Sequence, residues 1–248
     1  MFKLSIDDSI GLLRLARPEA RNAIPVDGWT ALGDAAEEAV QHGARLLIVR
    51  GERGGAFCAG ADLGDFDSFA DDPVGRAAFR EKMRSGLDRL RDIPIPTVAA
   101  IEGACFGAGV ALAMACDLRF AGPGALFAIT PAKLGISYPQ EDVHRLVTLV
   151  GAGQAARLLL TAQSIDGAEA ERIGLVEKYF PAGLAEAINS IAGAVAANDP
   201  ESLRTLKEAV RLASTGVSRD EAQDCRFDDL LGSDAMLERL ARHRNRPR

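Results

Sequence analysis

The chain has 248 residues, with 29 lysines and arginines against 35 aspartates and glutamates, a formal net charge of -6. At 48% hydrophobic and 26% charged it has the make-up of a globular protein, one large domain or one domain with an extension. The acidic balance excludes a broad nucleic-acid surface, and no apolar run reaches the length of a membrane span.

In chain order, residues 2–7 and 10–16 alternate as two strands joined by a turn at Asp7-Asp8-Ser9. Residues 17–23, RPEARNA, form a polar loop with two arginines. Pro25 and Asp27 then open a helix to about His42, with Trp29, Leu32, Ala36, Ala39 and Val40 on one face. Residues 44–50, ARLLIVR, read as a strand buried on both sides. Residues 51–63, GERGGAFCAGADL, form a glycine loop ending near Asp62, a residue type that caps helices. Residues 65–73 read as an acidic, mobile segment. Residues 76–91 read as an exposed amphipathic helix with Phe79, Met83, Leu87 and Leu90 as its stripe, stopped by Pro94 and Pro96.

The stretch PTVAAIEGACFGAGVALAMACD, residues 96–117, organises the chain. A short apolar strand turns through Gly103, Gly107 and Gly109 into a helix that is small and apolar on every face. Such a buried helix start leaves free N–H groups in the interior, suited to a developing negative charge. The loop at 51–63 has the same design, so two loops after adjacent strands can aim two N–H groups at one atom. Tight helix–strand packing alone is the competing reading.

Residues 117–122 and 125–129 read as short strands, and 130–139 as a loop with room for one helical turn. Helices follow at 140–150, 154–160 and 166–173, the last capped by Asp166, then a strand at 175–180. From Gly183 to about Arg242 the pattern is helical only, broken near Asp199-Pro200, Gly216 and Gly232. Strand–helix alternation followed by helices implies an α/β core over 1–195 and a helical region over 196–248. Gly151-Ala152-Gly153-Gln154-Ala155-Ala156 matches a dinucleotide fingerprint, but a helical pattern precedes it where a strand is required, so it reads as a helix–helix junction. The Arg-rich run 239–248 reads as a solvated basic tail.

The four cysteines form no CxxC pair and read as reduced, packed thiols of a cytoplasmic protein. The first residues, MFKLSIDDS, lack the apolar core of a signal peptide. The three histidines are scattered and form no metal pattern.

Four motifs, RPEARNAI (17–24), AFCAGADL (56–63), IEGACFGAGVALAMACDLRFAG (101–122) and AERIGLVEKYFP (170–181), together resemble the enoyl-CoA hydratase/isomerase, or crotonase, superfamily. The resemblance covers the whole chain. It implies a spiral of ββα units with a C-terminal α-helical extension that builds a homotrimer or a dimer of trimers. It implies acyl-CoA thioester substrates and no further cofactor, coenzyme A being part of the substrate. It places the two oxyanion-hole N–H groups at Ala61 and Ala108, and contacts to the coenzyme at Ala23, Ala59, Gly60, Asp62 and Leu63. A proline at 108 is expected to delete one donor and break the turn.

Two departures bear on the reaction. Hydratases of the family carry one glutamate where this chain has Ala111 and a second where ungapped spacing puts Pro131, and neither residue moves a proton. The loop from Phe127 to Tyr138 resembles the methylmalonyl-CoA decarboxylase branch, in which the matching threonine and tyrosine line the acyl site. Thr130 and Tyr138 are thereby implied in catalysis, against the plainer readings of a turn cap and a packed tyrosine. That branch can carry histidine where Ala61 stands, and it keeps a glutamate at the Ala111 position. Similar loops also occur in members named only as hydratases. Glu141 and Asp142 read as helix-dipole partners before they read as replacement acids. Cys58 reads as packing, not nucleophile. The expected activity is a lyase reaction, decarboxylation of a malonyl-type CoA thioester. The alternatives are a hydratase or isomerase using other groups, and a silent acyl-CoA-binding subunit.

Overall fold

The computed structural model describes residues 1–244; the last four residues of the basic run lie outside them. Strands β1 (Phe2–Asp7) and β2 (Ile10–Leu15) form the expected antiparallel hairpin, with Asp8 and Ser9 at positive φ in its turn. β3 (Leu46–Arg50), β4 (Thr97–Ile101), β6 (Leu118–Ala121) and β9 (Lys178–Tyr179) add in parallel, giving the order β1-β2-β3-β4-β6-β9. The central strands read as unbroken apolar runs because both their faces are covered. Leu47, Val49, Ala99 and Ile101 enter the main core, while Leu46, Ile48, Val98 and Ala100 enter a smaller cluster on the opposite face.

A second sheet joins β5 (Ala104–Phe106), β7 (Leu126–Ala128) and β8 (Ile165–Asp166). Successive turns of the chain give one strand to each sheet before a helix. β4 and β5 lead to α3 (Ala108–Ala115), then β6 and β7 lead to α4 (Gln140–Thr161). This is the ββα spiral. Neither β5 nor β8 is anticipated from sequence, since two or three residues show no periodicity. β9 is shorter than expected, and α4 joins the two expected helices across a kink at Gly151, whose φ is 76° and ψ 159°. A left-handed glycine between two helices is the junction expected there, and no strand precedes it.

Helices α1 (Val26–Gln41) and α2 (Pro73–Asp92) pack on the main-core face, so closely that a Cβ on Gly86 would lie 2.1 Å from the carbonyl oxygen of Trp29. α2 starts earlier than the amphipathic pattern suggests: Asp72 caps it through the N–H of Gly75 and Pro73 takes its first position. The segment expected to be mobile is instead folded. Leu63–Phe69 forms 3-10 turns, Phe66 and Phe69 pack on Phe79, and Arg76 donates to the carbonyls of Phe69 and Ala70. Asp166 caps α5 (Gly167–Arg172) at the N–H of Glu169, and α6 (Leu184–Ala196) covers the second face of the sheet with Leu184, Ile188 and Ala192. The last described helices, α7 (Pro200–Ser214), α8 (Glu221–Leu231) and α9 (Asp234–Arg244), bury no residue. Among the described residues no helix is long and apolar enough to cross a membrane.

Candidate active site

The two glycine loops meet backbone to backbone. The N–H of Cys58 donates to Ala104 at 3.0 Å and that of Phe106 to Cys58 at 2.9 Å, so the loop after β3 runs beside β5. On its other side, the N–H of Ile24 donates to Gly60 and that of Asp62 to Ile24, which turns the N–H of Ala61 away from Ile24. The approach requires glycine: a Cβ on Gly109 would lie 2.2 Å from the carbonyl oxygen of Cys58. Gly107, at a φ of 50°, turns the chain from β5 into α3, and Ala108 takes the first helical position. Its N–H is one of the donors a helix start leaves unpaired. A Cβ on Gly60 would stand 3.3 Å from the nitrogen of Ala108, so the ends of the two loops are neighbours. Neither the N–H of Ala61 nor that of Ala108 has a carbonyl acceptor among the described residues.

Both residues line one cavity of about 410 Å³. Ala59, Gly60 and Leu63 lie beside Ala61; Phe66, Phe79, Arg80 and Met83 form a wall from α2 and the turns before it; Thr130, Pro131, Leu134, Ile136 and Tyr138 close it from the loop before α4. Thus Ala59, Gly60, Ala61, Leu63, Ala108, Thr130 and Tyr138 line one cavity. Ala23 and Asp62 do not line this cavity. Arg17 donates to the Ala23 carbonyl and to the Asp62 carboxylate, both at 2.9 Å, and Asp62 also accepts from Gly64. The Arg17 guanidinium holds the Asp62 carboxyl below its usual range. These two residues shape the loop from behind. So does the buried Asn22, which donates to the carbonyl of Ala56 at 2.7 Å.

The hydroxyl of Tyr138 donates to the carbonyl of Gly107 at 3.0 Å, and burial, reinforced by the Asp142 charge, pushes its ionisation well up. Its single O–H is therefore engaged at the turn that aims Ala108, a packed and locally satisfied tyrosine at the cavity wall. Thr130 has its hydroxyl oxygen 3.5 Å from where a Cβ on Gly107 would stand. It makes no side-chain cap at the turn beginning at Pro131, contrary to the plainer reading. Burial pushes the Cys58 thiol up to about 12, and its S–H donates to the Asn22 carbonyl, which leaves it inert at neutral pH.

The description of the enoyl-CoA hydratase/isomerase family matches residues 5–232. The chain belongs to that family. It is 33% identical to a protein of Mycobacterium tuberculosis named as a probable enoyl-CoA hydratase, echA6, over 100% of this chain and 98% of that relative. It is 32% identical to a mitochondrial protein of Arabidopsis thaliana named as a probable enoyl-CoA hydratase, over 95% of this chain and 79% of the relative. Among solved structures, an enoyl-CoA hydratase/isomerase family protein from Hyphomonas neptunium superposes with a TM-score of 0.91 at 34% identity, covering 97% of this chain and 93% of that one. A Thermobifida fusca protein described as an enoyl-CoA hydratase in complex with acetoacetyl-CoA superposes with a TM-score of 0.79 at 29% identity, covering 97% and 95%.

Within that family frame, the acids matter most. Among the described residues no carboxylate lines the cavity. Ala111 is fully buried inside α3, and Pro131 offers only its ring. Asp142 is fully buried but held by Arg84 at 3.1 Å, and burial pushes its carboxyl up. Glu141 lines a separate cavity of about 620 Å³ against α7. Neither lines the cavity that holds Ala61 and Ala108. Arg80 escaped the sequence reading because a helix with an apolar stripe leaves its arginines assigned to solvent.

Proposed function

We propose that this protein binds an acyl-CoA thioester with its carbonyl oxygen between the N–H groups of Ala61 and Ala108, and that it forms the thioester enolate by releasing carbon dioxide from a malonyl-type acyl group. The observation that carries this reading is the pairing, among the described residues, of two unengaged N–H groups with a cavity lined by no carboxylate. A hole of this kind stabilises charge developing on the oxygen, since its donors are fixed before reaction. Without a side-chain base, an enolate cannot be made efficiently by abstracting a proton. Decarboxylation needs no such base: the C–C bond breaks, its electron pair moves into the thioester carbonyl, and carbon dioxide leaves. Water entering at the rim then supplies the proton that completes the acyl-CoA product. The hydroxyl of Thr130 orients the departing carboxylate, and Tyr138 acts as a positioning residue by fixing the Gly107 carbonyl.

Hydration of an enoyl-CoA is the second reading, favoured by the names of the relatives. The test offers methylmalonyl-CoA and crotonyl-CoA to the purified protein, following carbon dioxide release and loss of the conjugated thioester. Release of carbon dioxide with crotonyl-CoA untouched is the expected result. Water addition with methylmalonyl-CoA returned intact would overturn it. If neither reacts but acyl-CoA raises the melting temperature, as ligand linkage requires of a binder, the chain is a silent acyl-CoA-binding subunit.

A further inference from the structure

Among the described residues the cavity is lined by one charged side chain, Arg80. Arg76, Arg80 and Arg84 recur every fourth residue along α2 and so share a helix face. Arg76 is engaged by the carbonyls of Phe69 and Ala70. Arg84 is engaged by Asp88 at 3.0 Å and Asp142 at 3.1 Å. Arg80, between them, has no carboxylate or carbonyl partner among the described residues and stands exposed at the cavity mouth. The walls beside it, Phe66, Phe79 and Met83, carry no charged side chain. A guanidinium on an otherwise uncharged cavity is a recognition element for a planar anion, which it can bind through two parallel N–H donors.

We propose that Arg80 selects acyl groups that carry a carboxylate over neutral acyl groups of similar length. This rests on the acyl-CoA reading above and deepens it by naming the group that reads the substrate's charge. A phosphate of the coenzyme is the other anion on such a ligand. The carboxylate is preferred because Arg80 lies on the cavity that also holds Ala61 and Ala108, the two residues that receive the thioester carbonyl on that reading. The expected coenzyme contacts are split, with Ala59, Gly60 and Leu63 on this cavity and Ala23 and Asp62 outside it, so free coenzyme A is the arm of the test that separates the two anions. Arg80 is a binding residue, not a catalytic one. An ion pair to a departing carboxylate is at least as strong in the ground state as in the transition state, where that charge has begun to move onto the thioester oxygen. Its removal therefore weakens binding without slowing the chemical step.

The test titrates the full-length protein and its Arg80→Gln and Arg80→Lys variants with succinyl-CoA, butyryl-CoA and free coenzyme A. Succinyl-CoA carries an acyl carboxylate that does not leave as carbon dioxide by this route, so binding is read apart from turnover. The wild type should bind succinyl-CoA about tenfold more tightly than butyryl-CoA, the scale of one charge-assisted contact. Arg80→Gln should erase that preference with butyryl-CoA and coenzyme A unchanged, and Arg80→Lys should restore part of it. With methylmalonyl-CoA, Arg80→Gln should raise KM about tenfold and leave kcat level or higher. Equal weakening of all three ligands in Arg80→Gln would assign Arg80 to a coenzyme phosphate and overturn the proposal. A wild type with no preference for succinyl-CoA would overturn it as well. Failure of every ligand to bind the wild type would instead overturn the acyl-CoA reading, and the role of Arg80 with it.

Discussion

Ala108 stands at the first position of α3, directly after Gly107. That placement changes what a proline there should do. From sequence, proline at 108 deletes a donor and also breaks the turn. At the first position of a helix, however, proline is well tolerated, because its fixed φ suits the start and the N–H it lacks has no helical partner. Ala108→Pro is therefore a nearly clean deletion of one N–H. If that N–H stabilises the thioester oxygen, turnover should fall by roughly 100- to 1,000-fold, the measured scale for one oxyanion-hole donor. The melting temperature should stay within a few degrees, and Ala108→Gly should keep most activity. A folded Ala108→Pro protein with full turnover would show that the hole lies elsewhere. On that reading alanine can serve at both 61 and 108, because the chemistry asked of these positions would belong to the main chain.

At the scale of elements, the site exists because a loop and a three-residue strand lie against each other. β5 is invisible to periodicity, and its partners, the loop at Cys58 and strand β7, are distant in sequence. What the sequence does display is the consequence, a glycine at each point of close approach. Gly109 is the sharpest case, with the Cys58 carbonyl carbon and oxygen 3.0 and 2.2 Å from its would-be Cβ. Both contacts are backbone, so no side chain can rotate away. Gly109→Ala should cost about 2–3 kcal/mol in urea denaturation, the upper range for overpacking a tight core. It should also reduce turnover, because α3 must move off the loop that carries Ala61. A stability change under about 0.5 kcal/mol, the size of a neutral surface substitution, would refute the steric argument. The alternating inner and outer burial of β3 and β4 was legible as unbroken apolar runs, and Asp166 as a cap. Asp72-Pro73 carried an equally clear helix-start signal, but the acidic run around it drew the reading toward a mobile loop. Arg80 was not legible, because whether an arginine on a helix has a partner depends on residues such as Asp142 that only the fold brings near.

The molecule as a whole is divided between a well-packed core and helices that pack little. Helices α7, α8 and α9 contribute nothing to either buried cluster. They leave Leu206, Val210, Phe227 and Leu231 at 57–70% exposure. Polar ties hold α7 in place: Lys207 pairs with Asp117 at 2.9 Å and donates to the Ile95 carbonyl. The stripes expected from sequence, from Leu203 to Val210, Phe227 to Leu231 and Met236 to Leu240, thus sit on a region whose apolar faces the single chain does not cover. An apolar surface of this kind is unusual on a protein that works alone. We propose that copies of the chain cover it, as a homotrimer or a dimer of trimers. Multi-angle light scattering at micromolar concentration should then report three or six times the mass of one chain. Replacing Phe227 and Leu231 together by glutamate should shift that mass downward, since a charge buried without a partner opposes association. The double variant should keep its secondary structure, because neither side chain enters the core. A wild-type protein with the mass of a single chain at that concentration would refute the assembly and leave the exposed faces without an occupant.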